Sequence, residues 1–114
     1  MQNNEIIQIL DKQTIESMIY IIRGQKVMLD FDLAKIYGYS TKRFNEQVKN
    51  NIEKFPDRYR FQLNEEEIRN ISRSKKSTLK IERGQNIKYK PYAFTEQGIY
   101  MLMTVLKGGK YARK

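Results

Sequence analysis

Between Asp30 and Pro56 (DFDLAKIYGYSTKRFNEQVKNNIEKFP) the chain leaves room for little besides two helices about a tight turn. Asp30 or Asp32 is placed to cap a first short helix, read over 32–37. Gly38 is placed to end it, because glycine enters the left-handed region at no steric cost. Ser40 or Thr41 then caps a second helix, which the apolar spacing carries to about Lys54, ahead of Phe55-Pro56. On a 3.6-residue wheel Phe44, Val48, Ile52 and Phe55 gather on one face, which predicts burial. Opposite them stand Lys42, Arg43, Glu46, Lys49, Asn50 and Glu53, flanked by Asn45, Gln47 and Asn51. These are helix-turn-helix proportions. An ordinary surface helix has the same two faces, so spacing alone leaves both readings open.

The flanks read as mixed structure. Residues 5–17 suit a short helix with Ile6, Ile9 and Leu10 on one side. MIYIIRGQKVML, from Met18 to Leu29, is two β-rich runs about a glycine and predicts a hairpin turning at 23–25. YRFQL (59–63) alternates like a strand. Asn64 with Glu67 has the spacing of a capping box for a helix running to about Ser72. Residues 73–80 are basic and serine-rich, hence a loop. Residues 81–94 predict a second hairpin turning at Arg83-Gly84-Gln85, whose echo of Arg23-Gly24-Gln25 is turn chemistry used twice rather than a repeat. Tyr92 reads as hairpin core. Thr95 caps a last helix striped by Ile99, Leu102, Val105 and Leu106. The expected fold is α+β: a small single domain with a helix-turn-helix-like core, flanking β-hairpins in a winged-helix-like arrangement, and a C-terminal helix. It divides into an N-terminal segment (1–17), the folded unit (18–107) and a basic tail (108–114).

Charge is where composition informs. Residues 1–40 carry four Lys/Arg against five Asp/Glu, whereas residues 41–114 carry eighteen against eight. Residues 69–90 alone hold eight bases against Glu82, and the sequence pI is near 9.8. Clustered bases of this kind are the footprint of a polyanion binder. The chain has no Cys and no His, which removes disulfides, zinc fingers and the commonest nucleophile–base pairs. A reducing cytoplasm fits by default. No apolar run approaches the ~20 residues of a membrane span.

If the second helix enters a major groove, Thr41, Lys42, Arg43, Gln47 and Asn50 become base contacts. Lys49, Lys54, Lys75, Lys76, Arg83, Lys88 and Lys90 become phosphate contacts, the last five on a basic loop and wing. Enzymatic readings fare worse. Glu65-Glu66-Glu67 is explained by capping and the helix dipole. Asp30, Asp32 and Lys35 could be drawn as a Mg²⁺ nuclease set, but the two carboxylates serve better as caps. Lys107-Gly108-Gly109-Lys110 lacks the phosphate-loop spacing. No enzyme activity, cofactor, metal or small-molecule substrate is expected.

Three strings, IRGQKVML, DLAKIYGYSTKRFNEQVKNNIEKFPDRYRFQL and PYAFTEQGIYML, resemble the phage "ORF-six N-terminal" domain, a relative of the KilA-N and Bro-N domains. The resemblance spans roughly 15–107 and departs at Phe31, where a small polar residue is expected. It implies a small α+β fold, sequence-specific double-stranded DNA binding and a role in phage or prophage transcription regulation. Family members often continue into a helical or antirepressor-type segment, and a homodimer would match a palindromic site. The alternative from another class is an antirepressor-type docking module whose basic face meets an acidic protein partner. RNA is a third possibility, less favoured because the aromatics are scattered.

Overall fold

The computed structural model describes residues 12–74, 76–81 and 86–106. Its order is α1 (Lys12–Ser17), β1 (Ile19–Ile22), β2 (Gln25–Leu29), α2 (Asp30–Tyr37), α3 (Thr41–Lys49), a 3₁₀ turn (Ile52–Lys54), β3 (Arg60–Gln62), α4 (Glu65–Ser72), β4 (Tyr92–Thr95) and α5 (Glu96–Val105). The fold is α+β, with one four-stranded antiparallel sheet in the order β1-β2-β4-β3.

Both faces of the sheet are covered. Met28 and Phe94 point to one side, where Leu33 and Ala34 of α2, Phe44 and Val48 of α3 and Leu102 of α5 close over them. Tyr20, Ile22, Val27, Leu29, Phe61 and Ala93 point to the other, against Ile68 and Ile71 of α4 and partly buried Leu79, Ile81 and Ile87. This is the period-2 alternation of a pleated strand, with an apolar layer above and below. Phe94 anchors the helical side, edge-on to Phe44 at 5.6 Å and to Phe55 at 6.0 Å.

The caps form as their residue types dictate. Gly38 ends α2 at φ 80°. Ser40 Oγ accepts from the Arg43 amide at 3.1 Å. Asn64 and Glu67 exchange reciprocal 2.8 Å bonds. Thr95 Oγ1 accepts from Gly98 N. The first hairpin turns through Arg23 and Gly24 at φ 54° and 76°. Arg23 then reaches Glu67 in a forked pair at 2.8 and 3.1 Å.

Four expectations are corrected. The second helix stops at Lys49, because the Asn51 side-chain amide donates to the Gln47 carbonyl at 2.9 Å and takes up an end that another turn would have used, while the Asn51 backbone N–H donates to Val48 instead. The break swings the chain so that Phe55 enters the core and Ile52 stays 48% exposed. Neither Asp30 nor Asp32 is the cap: both lie inside the first turn of α2, whose N-cap is Leu29 with no side-chain bond. Finally, Tyr92–Thr95 does not return against 81–87 as a hairpin. It inserts between β2 and β3, and residues 86–91 form no strand. Ala93 and Phe94 are both fully buried on opposite faces, which only a central strand allows. The turn at 83–85, the helix start before Lys12 and the tail from 107 lie outside the described residues.

Asp32 carries a measurable consequence. Burial pushes its carboxyl up to about 6; Lys35 opposes the rise and Asp30 adds to it. The folded state therefore holds a proton there that the unfolded chain releases near 3.8, so this group's contribution to stability falls as pH rises through that window. Asp32→Asn is expected to stabilise the protein at pH 7.5 by about 1 kcal/mol, solvent screening of the partly exposed side chain limiting the gain. The gain should vanish near pH 4, as paired urea melts at the two pH values would register.

Candidate functional site

The outer face of α3 is built by its inner one. Phe44 and Val48 are fully buried, and this turns Lys42, Arg43, Glu46, Lys49 and Asn50 outward. Thr41 and Gln47 lie at the helix flanks, half-buried. Asn50 is the C-cap and Lys54 an exposed member of the following 3₁₀ turn. Among the described residues, no side-chain hydrogen bond or ion pair engages Lys42, Arg43, Lys49, Lys54, Lys88 or Lys90. Six bare cations keep their full attraction for an anionic partner.

A hub fixes the pitch of this helix. The Asp30 carboxylate is wholly buried. It accepts from the Phe31 amide at 2.7 Å, the Asn45 side-chain amide at 3.0 Å, the Tyr92 amide at 3.2 Å and the Tyr89 hydroxyl. Burial and the Asp30 bond raise the Tyr89 phenol far above its ordinary value, keeping it a donor. One carboxylate thus ties the start of α2, the middle of α3 and the 88–92 strap together. Lys88 and Lys90 flank Tyr89 on that strap, and the Lys90 carbonyl accepts from the Gln62 side chain at 3.1 Å.

Lys76 is placed elsewhere. Its ammonium donates to the Ile19 carbonyl and lies 4.5 Å from the Tyr20 ring centroid, on the sheet face away from α3. The structure does not bring it to α3. Lys75 and Arg83 lie outside the described residues.

Beside α3 opens a cleft of about 490 Å³ lined by Lys42, Asn45, Glu46, Lys49, Ile52, Arg60 and Tyr92. Sequence reasoning does not reach Arg60 or Ile52 as contacts; Tyr92 packs partly against the core, as expected, and lines the cleft as well. Strand alternation alone would have placed Arg60 opposite buried Phe61, but not next to α3, because that neighbourhood depends on β4 lying between β2 and β3. Among the described residues no group of acidic side chains is arranged to hold a metal, and no helix is long and apolar enough to cross a membrane.

The family model for the ORF6N domain matches residues 17–105. No curated protein and no solved structure matches the chain.

Proposed function

The chain belongs to the ORF6N domain family, and from that membership and the bare basic face of α3 we propose that it binds double-stranded DNA sequence-specifically, as a phage- or prophage-derived transcription regulator. The observation that carries the reading is the pairing of a fully buried Phe44/Val48 side with an outer side whose Lys42, Arg43 and Lys49 have no side-chain partner among the described residues. A helix so presented fits a major groove, where Lys42, Arg43, Gln47 and Asn50 meet base edges. Lys49, Lys54, Lys88 and Lys90 then meet the phosphates on either side.

The expected binding is strongly salt-dependent. Four phosphate contacts give a slope of about −3.6 in log K against log salt, at ~0.9 per contact. Lys88→Ala should weaken every duplex about equally and flatten that slope by about 0.9. Asn50→Ala should relax base preference with the slope unchanged. Titration of a labelled mixed-sequence duplex at several salt concentrations tests all three. Absence of duplex binding at low salt would refute the proposal, and capture of an acidic protein in its place would favour the docking module.

A further inference from the structure

The cleft beside α3 has a composition that phosphate binding does not explain. The Arg60 guanidinium sits over the Tyr92 ring, its carbon 3.6 Å from the ring centroid. Its Nε is sealed from solvent without a hydrogen-bond partner, so its two terminal nitrogens are the ones left to meet a ligand. Stacking fixes the fork in advance and lowers the ordering entropy that binding would otherwise lose. Ile52 stands 48% exposed in the same cleft, a large aliphatic group among charged neighbours. Glu46 shares the cleft as well. A carboxylate there repels a phosphate, yet it is a suitable acceptor for a base amino group.

Each of these three side chains has a natural complement on a base edge. A guanidinium fork matches guanine O6 and N7, a carboxylate accepts from the cytosine N4 amino group, and an aliphatic chain covers the thymine methyl. We propose that this cleft is a base-reading subsite, in which Arg60 recognises a guanine, Glu46 accepts from a cytosine and Ile52 covers a thymine methyl group in the major groove. The inference rests on the duplex-binding reading above and moves part of the specificity from the crest of α3 to its β3 side. Bare Lys49, at the edge of the cleft, and Lys54, Lys88 and Lys90 remain for the phosphates.

The test begins with duplexes enriched from a random pool by the wild-type protein. The enriched duplex is resynthesised with single guanines replaced by 7-deazaguanine, or single thymines by deoxyuridine, and titrated against wild type, Arg60→Lys, Glu46→Gln and Ile52→Ala. At one guanine, 7-deazaguanine should weaken wild type by about 5- to 150-fold, the range for a good bidentate contact. The same replacement should weaken Arg60→Lys clearly less, because the ammonium has no stacked, fixed fork to lose. Loss of one thymine methyl should weaken wild type about fourfold, as for one buried methylene, and leave Ile52→Ala unchanged. Glu46→Gln should relax preference at a cytosine. Ile52 and Glu46 are exposed, so those variants keep the fold even if Arg60→Lys does not. If wild type enriches duplexes but no base replacement distinguishes it from the variants, the subsite is refuted while duplex binding stands. A uniform loss in Arg60→Lys with a flatter salt slope would likewise refute it, in favour of a phosphate clamp. If wild type binds no duplex, both readings fail together.

Discussion

Gly98→Ala is expected to destabilise the domain by more than about 3 kcal/mol, a large fraction of what a small domain has. A β-carbon at Gly98 would stand 2.1 Å from the Tyr59 carbonyl oxygen and 2.9 Å from its carbon. Neither side can yield cheaply. The Tyr59 carbonyl accepts from the Thr95 amide at 3.0 Å and from its hydroxyl at 3.3 Å. Thr95 is itself the cap of α5 and the end of the central strand. Relief of the clash would therefore pull α5 off the sheet and Leu102 out of the core. Urea denaturation followed by circular dichroism reads the effect; an unchanged midpoint would mean that α5 can slide without loss.

Asp30→Ala is expected to cost about 3–5 kcal/mol, because several buried neutral donors lose their acceptor at about 1–3 kcal/mol each. Four donors converge on that carboxylate, and without it the Phe31 and Tyr92 amides, the Asn45 amide and the Tyr89 hydroxyl lose a shared acceptor in a site closed to water. Asp30→Asn keeps the shape but turns one oxygen into a donor facing donors, so a smaller loss of about 2 kcal/mol follows. Tyr89→Phe removes one bond and should cost about 1 kcal/mol. The Asp30→Ala/Tyr89→Phe double variant should fall short of the sum of its parts, because the two share one interaction. Additive losses in that cycle would show that the hydroxyl and the carboxylate do not act together. Because the hub also orients α3, duplex affinity should fall in Asp30→Asn even under conditions where it remains folded.

Local features were the legible ones. Gly38, Ser40, the Asn64–Glu67 box and Thr95 each act within a few residues of themselves, so their roles follow from residue type and spacing. The same holds for Phe44 and Val48, whose burial follows from helical period. Three features were out of reach for a common reason. Ile52 is exposed because Asn51 bonds backward to Gln47, a competition between side chain and helix that a wheel does not represent. Asp30 becomes a hub through Tyr89 and Tyr92, about sixty positions away. Arg60 reaches the α3 cleft through a sheet order that no run of alternating residues specifies. The string Tyr-Ala-Phe-Thr-Glu-Gln-Gly, one part of the family resemblance, is largely architecture. Ala93 and Phe94 fill the two layers, Thr95 caps and Gly98 permits close approach.

The position of β4 also sets the order in which the molecule can assemble. Residues 92–95 are last among the strands in the chain, yet β2 and β3 meet only through them. Val27 waits for Thr95, and Phe61 for Ala93, so the sheet closes loops of more than thirty residues in its final step. Closing such loops is the slow event in small domains rich in distant contacts. During synthesis, the β1–β2 hairpin and β3 emerge without a common partner, and the apolar undersides of both helical layers stay open until the last strand arrives. A chain truncated ahead of Tyr92 should accordingly show no cooperative unfolding transition, even though it retains α3 and every cation assigned to DNA.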